Sequence, residues 1–188
     1  VQNALKKTVS VFGKLDVVFN AAAYPDPLLP AHELDVEVWR KTFDVNVTGM
    51  FIVTKYAIPF MKAAGGGHII NVSSRGSIPP GPGPYTEEQR SRLGDLLYGP
   101  EKSALEHFSQ RQAMAYQPDN ISVNVLSPTG RVKTPGNIFF EKDPEKPDLD
   151  FETADAMGKA TVWICEQPAD AYTGNVVYDE DLVAEYQL

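Results

Sequence analysis

The chain has 188 residues, 43% of them apolar and 22% charged, which is enough for one domain with a real core. A net charge of -8 speaks against a nucleic-acid partner, because phosphate recognition needs a basic face. The single cysteine, Cys165, excludes an intrachain disulfide and a cysteine metal cluster; no apolar run is long enough for a membrane span and no leader opens the chain, so a soluble cytoplasmic protein without metal is expected.

Val1 is not an initiator methionine. Ala4, Leu5, Val9 and Phe12 recur at helical spacing, and Gly13 suits a helix end because it tolerates positive φ. The chain is therefore expected to begin inside a fold, within a helix. A strand follows over Asp16 to Asn20, and a helix over Val36 to Ala64 with Pro59 near its end. The run Gly65-Gly66-Gly67 breaks the chain before a strand over His68 to Ser73. A Pro/Gly-rich stretch leads to a helix over Gly99 to Gln117 and a strand over Ile121 to Leu126. Residues 127–150 read as a loop, then come a helix over Thr153 to Glu166, a strand over Asn175 to Tyr178 and an acidic tail.

The strands "HIINVS" and "ISVNVL" are apolar on both faces, as in parallel sheets covered by helices. Strand and helix alternate without repeat or linker. The expected fold is α/β, a doubly wound, Rossmann-like parallel sheet in a single domain covering residues 1–188. In such sheets ligands bind at the carboxyl ends of the strands. Those ends read Asn20-Ala21-Ala22, Ser73-Ser74 and Ser127-Pro128-Thr129-Gly130. Small and hydroxyl residues there let a flat ligand lie against the backbone. Turn chemistry explains any one of the three; together they point to a site.

Tyr98-Gly99-Pro100-Glu101-Lys102 is the chemical centre of the sequence. Residues four apart on a helix share a face, and Pro100 is tolerated only in a first turn. A lysine ammonium beside a phenol favours the phenolate, which makes the tyrosine a usable proton donor and acceptor near neutral pH. Tyr85 has Gln89 four residues on, which supplies no charge. His32 and His107 lie apart from other ligand types, His68 reads as structural at the start of a strand, "DPEKPDLD" and "DED" read as solvated charge, and Cys165 reads as core.

Taken together, "NAAA" at Asn20, "FDVNVTGMF" around Asn46, "GHIINVSSRGS" with Ser74, "YGPEKSALEHF", "ISVNVLSPTGRVKTPG" and "YTGNVVYD" resemble, in order, the motifs of the classical short-chain dehydrogenase/reductase family. The resemblance covers nearly the whole chain but not the family's amino-terminal strands. It implies an NAD(P)-dependent oxidoreductase that interconverts a secondary alcohol and a ketone. By the same resemblance Tyr98 passes the proton, Ser74 binds the substrate oxygen, Lys102 tunes the tyrosine and holds the nicotinamide ribose, and Asn46 anchors a water and the backbone behind Lys102. Asn20, Ala21 and Ala22 are implied along the cofactor, with Pro128, Thr129, Gly130, Val132 and Thr134 around its carboxamide end. The implied cofactor is NAD or NADP, NADP slightly favoured, and the implied assembly a homodimer or homotetramer built on the helices around Asn46 and Tyr98.

Three departures qualify the resemblance. The glycine-rich cofactor turn would precede Val1. Ser74 and Tyr98 are 24 positions apart, about twice the family's usual interval, so the inserted residues form a candidate substrate lid. "SPTG" and "YDED" replace S-P-G and D-G-G. Two alternatives remain: a non-catalytic family member acting only in association, and an extended-type epimerase or dehydratase, which the short region after "SPTG" disfavours. Ile138, Phe139 and Phe140 suggest a partly apolar small-molecule substrate. Without the missing strands, the chain by itself is expected to bind cofactor very weakly and to aggregate through an open sheet edge.

Overall fold

The computed structural model describes residues 1–24, 29–91, 96–140 and 151–188, with backbone alone for Glu88, Ser91, Phe139 and Phe140. Helix α1 (Gln2–Phe12) ends at Gly13, whose φ of 84° is the left-handed stop its glycine permits. Strand β1 (Val17–Asn20) follows. Asp35 caps α2 (Val36–Phe43) by accepting the Glu37 N–H at 2.7 Å. A five-residue π-helical turn, Asp44–Thr48, separates α2 from α3 (Gly49–Ala64). The helix expected over 36–64 is therefore continuous, with a π bulge in its middle. The π turn inserts a residue into the helical register, and Asn46, at its centre, faces inward with 2% exposure.

Next come β2 (Gly67–Val72), a 3-10 turn at Arg75–Ser77, α4 (Glu87–Ser91), α5 (Tyr98–Tyr116) and β3 (Ile121–Ser127). The stretch expected as loop over 127–150 holds two short elements, β4 (Arg131–Val132) and α6 (Pro135–Phe140). Its residues 141–150 lie outside those described. β5 (Phe151–Glu152) pairs in parallel with β4, and α7 (Asp155–Glu166) and β6 (Val176–Tyr178) follow.

The expected acidic tail is a helix, α8 (Asp179–Tyr186). Its three first-turn acids, Asp179, Glu180 and Asp181, complement the positive end of the helix dipole, and Leu182 is buried. Tyr186 stacks on Trp163 of α7 at 4.1 Å. A charge run that reads as solvated is thus a helix start.

β1, β2, β3 and β6 form one parallel sheet in that spatial order, with Val18 opposite Ile69, Ile69 opposite Val123, and Val125 opposite Val176. Alternation along the strands sends side chains to two cores. Val18, Ile69 and Val123 pack with Leu5, Ile58, Met61 and Ala113 of α1, α3 and α5. Ile70 and Leu126 pack on the other face with Ala160, Ile164 and Leu182 of α7 and α8. Helices therefore cover both faces, and every residue of β3 is buried. At the sheet edge β1 keeps only Val18 buried, while Val17 and Phe19 on its opposite face are 39% and 44% exposed.

The triple glycine is dictated by space. Gly65 takes a φ of 87° to end α3. A Cβ on Gly66 would lie 2.2 Å from the Asn120 carbonyl oxygen, and one on Gly67 2.5 Å from that of Asp16. β2 enters the sheet squeezed between the start of β1 and the turn before β3, and only hydrogen fits.

Candidate active site

Asn20 at the end of β1 is held from below. Its Nδ2 donates to Asn71 Oδ1 at 2.8 Å, Asn71 Nδ2 donates to Ser109 Oγ at 2.8 Å, and Ser109 Oγ donates to the Leu105 carbonyl at 2.7 Å. Asn71 is fully buried, so this chain of bonds satisfies polar groups that cannot reach water. It ties β1 and β2 to α5. Beyond Asn20, residues Ala21 and Ala22 are exposed and offer only backbone and methyl groups. Tyr24 closes the segment: its N–H donates to Asn46 Oδ1 at 2.6 Å, and its carbonyl accepts from Asn46 Nδ2 at 3.0 Å.

α5 starts at Tyr98, with Pro100 in the first turn, where its missing N–H costs nothing. Lys102 is 3% exposed. Its Nζ donates to the Val72 carbonyl at 2.7 Å and lies 5.3 Å from the centre of the Tyr98 ring. Lysine and tyrosine thus lie on one helix face, with the ammonium over the ring. Burial pulls the lysine down to about 8, against the charges of Glu101 and Glu106, which hold it up.

Ser74 Oγ accepts the Gly76 N–H at 3.2 Å and so caps the 3-10 turn, and among the described residues its own hydrogen meets no acceptor. That turn packs on α5, where Ser103 Oγ donates to the Ser77 carbonyl at 2.6 Å. The neighbouring Ser73 turns the other way and donates to Glu106 Oε1 at 2.6 Å. Tyr85, in the inserted stretch, is exposed and donates to the Gly81 carbonyl at 2.8 Å.

At the carboxyl end of β3, Ser127 is fully buried and Pro128, Thr129 and Gly130 are half-buried. Among the described residues, Ser127 Oγ and Thr129 Oγ1 are buried atoms without a hydrogen-bond partner. Buried hydroxyls are normally satisfied, so these two are exceptions in the interior at the end of β3. Asp179 fixes the backbone there: it is 1% exposed, and its Oδ1 accepts from the Thr129 and Glu180 N–H groups at 2.8 Å each. Val132 sits half-buried in β4, whereas Thr134 is exposed and accepts the Asn137 N–H at 3.1 Å.

Asn46 sits in the π turn against α5. All three hydrogen-bonding groups of its amide are taken by Tyr24 and by Glu101, whose Oε2 accepts from Asn46 Nδ2 at 2.5 Å. Lys102 turns instead to β2.

A family model described as enoyl-(acyl carrier protein) reductase matches residues 1–180. The chain belongs to the short-chain dehydrogenase/reductase family. A cis-4-hydroxycyclohexanecarboxylate dehydrogenase of Sinomonas cyclohexanicum is 31% identical over 70% of this chain and 48% of its own length. Glucose 1-dehydrogenase 2 of Bacillus subtilis is 26% identical over 95% of this chain and 67% of its own. The solved acetoin dehydrogenase of Enterobacter cloacae superposes with a TM-score of 0.72 at 26% identity, covering 100% of this chain and 72% of its own. The match to the first relative thus spans about half of its length, and that to the second about two thirds.

Against the family pattern, sequence reasoning passed over Glu101, Glu106, Asn71 and Asp179. Glu101 carried a readable signal. On the helix it shares a face with Tyr98 and Leu105, and a carboxylate on an inward face is unusual enough to mark. Asp179 carried none, because only the packing of α8 hides it.

Proposed function

We propose that the protein containing this chain is an NAD(P)-dependent oxidoreductase that interconverts a secondary alcohol and a ketone. The observation that carries this reading is the buried Lys102 ammonium beside the Tyr98 ring at the carboxyl end of β2. When bound, the nicotinamide supplies or accepts the hydride at the substrate carbon. Tyr98, as phenolate, takes the hydroxyl proton during oxidation and returns it during reduction. Ser74 donates its free hydrogen to the substrate oxygen and stabilises the charge that develops there. Lys102 keeps the phenol acidic and holds the ribose hydroxyls with the protons not spent on Val72.

Thr129, at the carboxyl end of β3, lies at the carboxamide end of the cofactor in this reading. Pro128, Gly130, Val132 and Thr134 complete that end, and Asn20, Ala21 and Ala22 the other. NAD and NADP fit these residues equally. The substrates named for two relatives, 4-hydroxycyclohexanecarboxylate and acetoin, each carry a secondary hydroxyl. A partly apolar substrate belongs to the same reading. Homo-oligomerisation fits the exposed Val45, Phe51 and Met114 on the helices around the site. A single domain, of which residues 1–188 form the larger part, and a cytoplasmic location belong to the same reading. No helix among the described residues is long and apolar enough to cross a membrane.

The test is turnover of ring and acyclic secondary alcohols by the protein containing this chain, with NAD and with NADP. Tyr98→Phe should lower turnover by about 10²–10⁴-fold while the cofactor dissociation constant stays within about twofold, because only the proton-transfer group is lost. A variant that keeps most of its activity would show that Tyr98 is not the acid/base.

A further inference from the structure

We propose that Glu101 is a positioning residue: its buried carboxylate clamps Asn46, and through Asn46 the Tyr24 backbone, to the helix that presents Tyr98 and Lys102. The inference rests on the oxidoreductase reading above for its purpose, but the clamp itself is a matter of hydrogen bonds. Glu101 is 1% exposed, and burying a carboxylate is costly unless it is paired. It accepts from Asn46 Nδ2 at 2.5 Å through Oε2, while Oε1 has no partner among the described residues. A hydrophobic residue of similar volume would serve the core better, so packing alone does not account for a glutamate here.

A carboxylate only accepts hydrogen bonds. Facing Glu101, the Asn46 side chain must therefore present its NH2 group, which turns Oδ1 toward the Tyr24 N–H. A neutral amide at position 101 could satisfy either orientation of Asn46 and would dictate neither. The segment that needs holding is Ala21-Ala22-Ala23, whose methyl side chains supply no polar anchor of their own. Its outer end is fixed from α5 by way of the π turn, and its inner end by the Asn20–Asn71–Ser109 chain of bonds.

The same charge acts on the neighbouring Lys102. Burial alone would favour the neutral amine; Glu101 and, less strongly, Glu106 oppose this and hold the lysine at about 8. From β2 only the neutral Val72 carbonyl meets the ammonium, and β3 contributes no charged residue. Asp44 in the π turn and Arg75 in the 3-10 turn are exposed, and His68 lies at the far end of β2.

Three variants of the protein containing this chain separate the clamp from the charge. Glu101→Gln keeps the reach and removes the charge; Glu101→Asp keeps the charge and is one methylene short; Glu101→Ala removes both. Amide hydrogen exchange at Tyr24, without cofactor, should accelerate by about tenfold or more in Glu101→Ala and Glu101→Asp, and by less in Glu101→Gln, which keeps a bond to Asn46 but no longer fixes its orientation. Equilibrium binding of NADH and NADPH, followed by fluorescence from pH 6 to 10, should weaken as Lys102 deprotonates near pH 8 in the parent. In Glu101→Gln that midpoint should fall by roughly half a pH unit or more, while Glu101→Asp keeps the parent's. Unchanged Tyr24 exchange in Glu101→Asp together with an unchanged midpoint in Glu101→Gln would overturn the proposal. Should Glu101→Ala not fold, those two near-isosteric variants still decide it. A parent that binds neither cofactor at any pH would count against the oxidoreductase reading, and Tyr24 exchange would then judge the clamp by itself.

Discussion

Lys102 should leave a measurable mark on stability as well as on chemistry. Its side chain is 3% exposed, and burial lowers it from the usual 10.5 to about 8 in the folded protein. Below pH 8 both folded and unfolded chains carry the charge, and the folded state bears the full cost of burying it. Between pH 8 and 10.5 the folded protein has released this proton while the unfolded chain still holds it, so the unfolded state binds more protons and stability rises with pH. This contribution is complete above 10.5 and is lost as pH falls through about 8. At about 1.4 kcal/mol per pH unit, the interval amounts to roughly 3 kcal/mol. Lys102→Met removes the titration and keeps most of the volume. Urea unfolding of both proteins at pH 7, 9 and 10.5, without cofactor and in a Tyr98→Phe background that removes the phenol coupled to Lys102, isolates the effect, because groups remote from Lys102 titrate alike in both and cancel in the difference. The parent should gain roughly 2–3 kcal/mol on the variant between pH 7 and 10.5. A difference that stays flat within about 0.5 kcal/mol would refute the buried, strained ammonium.

Other consequences follow from the same packing. Asp179→Ala should destabilise by about 1–3 kcal/mol in thermal or urea unfolding, since two backbone N–H groups lose their acceptor, and should weaken cofactor binding through Thr129. A similar stability for Asp179→Ala and the parent would show that the Thr129 turn holds without it. The 188-residue chain by itself should bind NAD and NADP very weakly in calorimetric titration and aggregate on a sizing column. Phe19→Lys should reduce that aggregation, because Phe19 is 44% exposed on the edge strand; an unchanged elution profile would place the sticky surface elsewhere. Deleting about ten residues between Pro79 and Arg92 should change KM for substrate more than the cofactor dissociation constant. Equal losses in both would mean that this insertion holds α5 in place instead.

Much of the fold was legible because its signals are local. Two-sided apolar strands call for a parallel sheet between helix layers, and Tyr98 to Lys102, opened by Gly-Pro, could only be the first turn of a helix that shows both groups on one face. Hydroxyl and small residues at three strand ends stand together at the carboxyl edge of the sheet, since that edge is set by chain direction alone. What the sequence did not determine depends on contacts between distant segments. The π turn at Asp44–Thr48 breaks no propensity rule, yet it decides that Asn46 points inward to Glu101 and Tyr24. The acids of "DED" look alike in one dimension; in three, α8 docks on α7 and buries Asp179 under Thr129, while Glu180 and Asp181 stay exposed. Ser73 and Ser74 are likewise equivalent in sequence, and alternation at the end of β2 sends one to Glu106 and the other to the turn beside α5. Chemistry-bearing residue types are written along the chain. Which of them share a proton, a charge or a hydrogen bond is settled only when packing removes water from some and leaves it on others.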